Sequence, residues 1–178
     1  MYISEITNDK PTEFASDLEK EVYNKLEELN IRYDRVDNDV VESMEECIEI
    51  SNKLGAEIRK TIIVCNRQKT DFYLVILPAD KRFDSKLFSQ KMECARVSFA
   101  SGEDMENLLG VVPGSATVMS LVKDKENKVK VIIDEEVAKE EYFSCNTGAN
   151  TRHIKIKTSD LIEKILPELN HEPTIISL

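Results

Sequence analysis

The stretch KTIIVCNRQKTDFYLVILP, residues 60–78, sets two apolar, β-branched runs on either side of a polar tetrapeptide. KTIIVCN and DFYLVILP predict strands, RQKT predicts the turn between them, and one strand of the hairpin is expected to be buried on both faces. Upstream, PTEFASDLEKEVYNKLEELN spaces Phe14, Leu18, Val22, Leu26 and Leu29 at helical intervals, predicting an amphipathic helix within about residues 12–30. IRYDRVD predicts a strand. In ESMEECIEISNKLG, Ser43 precedes Glu46 by three, the capping-box spacing, and Gly55 is placed to end the helix.

Downstream, FDSKLFSQKME predicts a short helix, ARVSFA a strand, and SGEDMENLLG a helix from Ser101 to Gly110. TVMSLVKD and KVKVIIDEE predict a second hairpin turning at KEN, RHIKIK a last strand, and TSDLIEKILPELN a closing helix capped by Thr158 or Ser159. Strands and helices mix without a regular βαβ repeat. That order predicts an α+β fold, one domain over residues 1–178, built on a mixed or antiparallel sheet.

The composition, 41% hydrophobic and 33% charged over 178 residues, is that of a soluble globular chain with enough length to bury a core. The start carries acids, and no apolar run approaches the ~18 residues of a spanning helix, so no membrane association and a cytoplasmic location are expected. Cys47, Cys65, Cys94 and Cys145 stand apart, and two histidines fall in no zinc pattern, so neither a metal nor a cofactor is expected. The net charge of −10 looks hostile to nucleic acid, but residues 1–50 hold 15 acids and 5 bases, and the remaining 19 acids and 19 bases cancel. Basic residues cluster in DKRFDSK, KDKENKVK and TRHIKIK, either as solvated turn lysines or as phosphate contacts.

Two short features can carry chemistry. Gly110 is placed as a helix C-cap, but Gly114 follows Pro113 in GVVPGSATVMSL, residues 110–121. The N–H groups of Gly114, Ser115 and Ala116 form either a plain turn or a nest aimed at a carbonyl or oxyanion. Lys60, at the head of a strand, is either an exposed strand end or a fixed charge for a phosphate or ester oxygen. The tract FSCNTGANTRH, residues 143–153, is too polar for a core and too long for a tight turn, and reads as a loop over a site or a surface connection. No G-x-S-x-G occurs, and neither Cys145 nor Ser120 has an identified histidine partner, with His153 eight residues from Cys145.

Together, GAEIRKTIIVCN, FYLVILPADKRFDSKLFSQKM, ARVSFASGEDMENLLGVVPGSATVMSLVKDKENKVKVIIDEE and IKIKTSDLI resemble the YbaK/prolyl-tRNA-synthetase-associated domain family, within it the free-standing ProX-type (PrdX-like) deacylases. The resemblance spans roughly residues 15–178. It implies a curved mixed sheet flanked by helices and metal-independent hydrolysis, in trans, of alanine esterified to proline tRNA. The attacking water in such enzymes is assisted by the ribose hydroxyl of the substrate. The partners implied are the acceptor end of an aminoacyl-tRNA and, secondarily, prolyl-tRNA synthetase, with the protein a monomer.

Carried onto this chain, Lys60 holds the terminal adenosine or its phosphate, and the backbone at Gly114 and Ser115 faces the ester carbonyl. Thr61, Ile62, Val112, Pro113 and Ala116 are expected beside them, with Phe143, Ser144, Asn146, Gly148, Asn150 and Thr151 at the rim. An editing enzyme of this kind is needed because a missing methylene is worth only ~1–3 kcal/mol to a synthetase pocket. Relatives with alanine specificity show F-H-P-x-x-N-x-x-T where this chain has FSCNTGANT, with Ser144, Cys145 and Gly148 at the departures and Phe143 and Thr151 matching. Those departures motivate a second expectation, a catalytically silent module of the same fold that binds a tRNA end or an amino acid.

Overall fold

The computed structural model describes residues 1–178. Helix α1 (Asp17–Glu28) turns Leu18, Val22, Tyr23 and Leu26 inward, and the Ser16 side chain caps it by accepting the N–H of Glu19. Strand β1 (Asp34–Asp37) and helix α2 (Cys47–Leu54) follow. The capping box ahead of α2 forms: Ser43 Oγ accepts the Glu46 N–H at 3.3 Å, and the Glu46 carboxylate accepts the Ser43 N–H at 3.2 Å. β2 (Lys60–Asn66) and β3 (Phe72–Leu77) pair antiparallel as predicted, and every residue of β3 is buried. α3 (Ser85–Met92), β4 (Val97–Phe99) and α4 (Gly102–Leu109) also match expectation, with α4 capped by Ser101 and closed by Gly110 at φ 68°.

Beyond α4 the prediction fails locally. TVMSLVKD is not a strand: Val118–Lys123 is a 3₁₀ helix whose Val118 to Val122 are all buried. A short apolar run enclosed on all sides carries no alternation, so sequence alone does not distinguish a strand from a tight helical turn. β5 (Val129–Asp134) therefore has no hairpin partner and instead pairs parallel with β3. After α5 (Glu135–Ala138) come β6 (Tyr142–Asn146) and β7 (Arg152–Lys157), an antiparallel hairpin. The polar tract is thus neither lid nor surface link: residues 143–147 are buried, and only residues 147–151 form the turn.

The closing helix α6, residues 158–168, has no side-chain cap, and its Thr158 hydroxyl is buried without a partner. Its centre, Leu161–Ile165, is π-helical. A short strand beyond it, β8 (Thr174–Ile176), was not anticipated; it adds to β5 in parallel.

The sheets run β1-β7-β6 and β4-β2-β3-β5-β8. A parallel bridge between Ile58 and Ser144, with the Arg59 N–H donating to the Ser144 carbonyl at 3.0 Å, joins them into the expected curved mixed surface. The main core extends from Leu18 to Leu166, a second cluster lies under α3, and a third under α2. Burial of these clusters, at about 25 cal/mol per Å² of apolar surface, supplies the main driving force for the fold. No helix is long and apolar enough to cross a membrane.

Candidate functional site

The break between the two sheets leaves a cavity of about 280 Å³. Four segments far apart in sequence wall it: the lead into β2 (Ile58, Arg59, Lys60, Thr61, Ile62), the turn after α4 (Gly114, Ala116), the β6–β7 hairpin (Cys145, Asn146, Asn150, His153) and the approach to α2 (Val41, Glu42, Ser43, Met44, Cys47). A larger groove of about 580 Å³ lies between Asn8, Tyr33, Tyr142 and Lys155, but it holds none of the expected catalytic groups.

The turn is built by VPGS. Ser115 N–H donates to the Val112 carbonyl at 3.0 Å, Pro113 takes the second position, and Gly114 the third at φ 88°. That is a type II turn, which requires φ > 0 where Gly114 stands. Because the Ser115 N–H closes the turn, it is not free to face an ester, and the expectation for Ser115 is corrected. The N–H groups of Gly114 and Ala116 make no hydrogen bond within the protein. Two asparagines of the polar tract hold the turn from the other side: Asn150 Nδ2 donates to the Gly114 carbonyl at 3.2 Å and Asn146 Nδ2 to the Ser115 carbonyl at 3.4 Å. The carbonyl oxygens are thereby tied to the hairpin.

Lys60 is half-buried, and its ammonium donates to the Lys81 carbonyl at 2.6 Å. Arg59, its buried neighbour, is paired with Glu57 and donates to the Tyr142 carbonyl at 3.4 Å. Lys81 itself bridges Asp134 and Glu136 at 2.7 Å each, and these carboxylates hold its ammonium above the usual lysine range, outweighing the opposing effect of burial.

His153 also lines the cavity. Asn38 Nδ2 donates to the carbonyls of Asp39 (2.7 Å) and Asn150 (3.0 Å), which fixes its Oδ1 as the atom 2.9 Å from His153 Nδ1. An amide oxygen can only accept, so Nδ1 carries the proton and Nε2 an open lone pair. Burial lowers the His153 pKa to about 4, so the ring is neutral at pH 7. Burial raises the Cys145 thiol to about 12, leaving it inert. In the hairpin register Cys145 faces Ile154 and His153 faces Asn146, which places the two side chains on opposite faces. No cysteine–histidine nucleophile exists here.

Seven expected residues, Lys60, Thr61, Ile62, Gly114, Ala116, Asn146 and Asn150, share the cavity wall. The others do not reach it. Val112 is 55% exposed, and Pro113 packs toward Gly102. Phe143 is enclosed in the core, and Ser144 Oγ donates to the Ile154 carbonyl at 2.8 Å. Gly148, at φ 101°, lies so close to α1 that a Cβ would stand 3.1 Å from Leu18. The Thr151 carbonyl accepts the Asn38 N–H at 2.9 Å. The turn that carries Gly148 is held by Glu19 of α1, fully buried, which pairs with Arg152 at 2.7 Å and accepts from Thr147 at 2.9 Å. Sequence reasoning missed the segment from Val41 to Cys47, whose only local signal was the capping box, and weighed His153 only as a possible partner of Cys145.

A family model for the aminoacyl-tRNA editing domain matches residues 39–164, a span that contains every wall of this cavity. The chain belongs to that family. The chain is 25% identical over 150 residues to the prolyl-tRNA editing protein ProX of Acetoanaerobium sticklandii, covering 84% of this chain and 91% of that one. Among solved structures it is similar to a candidate trans-editing enzyme for prolyl tRNA synthetase (TM-score 0.68, 14% identity, 93% of this chain and 99% of the other). A hypothetical protein of known structure is equally similar (TM-score 0.68, 15% identity, 89% and 99%). At such identities these two likenesses show the fold. The editing domain's chemistry is deacylation of aminoacyl-tRNA.

Proposed function

We propose that this domain acts in trans on tRNA(Pro) mischarged with alanine, cleaving the ester without a metal ion. The observation that supports this reading is the convergence of Lys60 with the unpaired N–H groups of Gly114 and Ala116 on one small cavity. Lys60 holds the terminal adenosine or its phosphate, as a charged hydrogen bond worth ~1.5–3 kcal/mol. Gly114 and Ala116 donate to the ester carbonyl oxygen, and more strongly to the oxyanion that forms when water adds to the carbonyl carbon. The ribose hydroxyl beside the ester accepts the water's proton while passing its own to the ester oxygen, so the acyl C–O bond breaks and the ribose oxygen leaves as a hydroxyl. The carboxylate of Glu42 at the rim has the sign that suits the amino acid's ammonium group.

The apolar wall formed by Val41, Met44, Ile58 and Ile62 suits a small uncharged side chain such as a methyl group. The departures at Ser144 and Gly148 hold the hairpin rather than the wall, so they do not favour a silent binding module. The test is a panel of alanyl-, seryl- and prolyl-tRNA(Pro) with catalytic amounts of protein in chelator. Multiple turnovers on the alanyl ester with prolyl-tRNA spared is the expected result; stable alanyl-tRNA, or activity lost to the chelator, overturns it.

A further inference from the structure

In an acidic chain, the cations left without an acid partner show where an anion can bind. Of the seven arginines, Arg35, Arg59 and Arg152 are ion-paired with carboxylates. Three of the remaining four, Arg67, Arg82 and Arg96, stand exposed around the β4 edge of the five-stranded sheet. Lys81 is held by Asp134 and Glu136, but between Arg82 and Phe99 the sequence has four further cations (Arg82, Lys86, Lys91, Arg96) and two acids (Asp84, Glu93), a local excess of two in a molecule of net charge −10. Asp84 is occupied in capping α3, and nearby Asp104 is taken by Lys69 at 2.8 Å.

The same edge exposes an aromatic ring. Phe99 is 68% exposed, and its centroid lies 6.2 Å from that of Phe83. A hollow of about 570 Å³ runs beside it, lined by Arg67, Lys69 and Arg96 and by no acid. The hollow and the cavity are bordered by the two ends of the same strand, β2. Phe99 sits opposite Val64 in register, so Lys60, Ile62 and the Val64–Phe99 pair lie along one face of the sheet. Four residues of strand make ~13 Å, the length of about four stacked nucleotides at ~3.4 Å each. Phe83 is two residues beyond Lys81, whose carbonyl holds the Lys60 ammonium.

We infer that this edge carries the single-stranded 3′ end of the tRNA, one base stacked on Phe99 and the phosphates passing Arg82, Arg96 and Arg67. The inference rests on the editing reading, because it takes the ester to lie at Lys60. Flat aromatic faces beside free guanidinium groups suit a single strand: stacking tolerates any base, and the cations follow the backbone.

The test measures binding of uncharged tRNA(Pro), which needs no hydrolysis, by fluorescence anisotropy across a salt series. Phe99→Ala is expected to weaken binding about tenfold, and Phe99→Trp to restore it. Arg67→Ala/Arg96→Ala is expected to lower the slope of log affinity against log salt by about one to two, at ~0.7 per single-strand phosphate contact. Arg32→Ala, removing the unpaired arginine at the other sheet, should change neither. All three altered positions, Phe99, Arg67 and Arg96, are exposed, so a thermal melt superimposing on wild type confirms folding. Unchanged affinity and slope in both variants overturn the inference and leave the patch to some other anionic partner. A wild type that binds tRNA through this edge yet never releases an amino acid would sink the editing reading instead.

Discussion

Lys60 Nζ lies 2.6 Å from the carbonyl oxygen of Lys81, a residue itself anchored by Asp134 and Glu136. An ammonium has three donors. One is spent on fixing the group, and two remain for the cavity.

Removing that group should affect turnover and spare the fold. Lys60→Ala is expected to lower kcat/KM for aminoacyl-tRNA by ~10- to 100-fold, the worth of one charged hydrogen bond. Its melting temperature should fall by only a few degrees, since the side chain is half-buried and its loss removes one hydrogen bond, that to the Lys81 carbonyl, and no ion pair. Full activity in a folded Lys60→Ala protein would remove the lysine from the mechanism.

Asn150 tests the turn. Its Nδ2 steadies the Gly114 carbonyl at 3.2 Å from a half-buried position. Asn150→Ala should cost about 1 kcal/mol or less in stability and several-fold in kcat, because a mobile peptide is a poorer oxyanion donor. Steady-state kinetics beside a denaturant titration separates the two. Loss in KM alone would place Asn150 on the substrate rather than behind the turn.

Two glycines with positive φ should respond differently to alanine. At Gly114 (φ 88°) a Cβ meets nothing within 4 Å, so the cost is the backbone term of ~1–2 kcal/mol. Gly148 (φ 101°) adds a Leu18 contact at 3.1 Å, so Gly148→Ala should be the more damaging, by a further ~1 kcal/mol. At ~2–4 °C per kcal/mol for a chain of this size, differential scanning calorimetry resolves the order. Equal losses would show that α1 yields freely.

His153 gives the protein an acid sensitivity of definite sign. Its pKa is depressed by burial from 6.5 to about 4 in the fold, so the unfolded chain takes the proton first. Stability is therefore complete above pH 6.5 and lost as pH falls toward 4, by on the order of 3 kcal/mol at the limit. His153→Gln, which can still donate to Asn38, should flatten unfolding free energy across that window. A variant as acid-sensitive as wild type would assign the slope to the carboxylates.

Where physics is local, residue order gave the answer. Leu18, Val22 and Leu26 repeat with the helix, Ser101 and Gly110 mark both ends of α4, and the β2–β3 hairpin reads directly from two β-branched apolar runs of strand length around a polar turn. TVMSLVK misled because a fully enclosed apolar run has no polar side from which to read a period. FSCNTGANTRH misled because its buried polar groups find partners elsewhere: Thr147 meets Glu19, and Asn146 meets the Ser115 carbonyl.

The amino-acid order alone determined most of the helices, the β2–β3 hairpin, the glycine turn and the lysine at the head of a strand, since each is decided by neighbours a few residues away. Only the tertiary structure decided that the lysine and the turn share one hollow, that Val41 to Cys47 closes it, and that His153 enters it neutral. Those outcomes depend on contacts such as Asn38 with His153, 115 residues apart, and on burial, which no local pattern encodes.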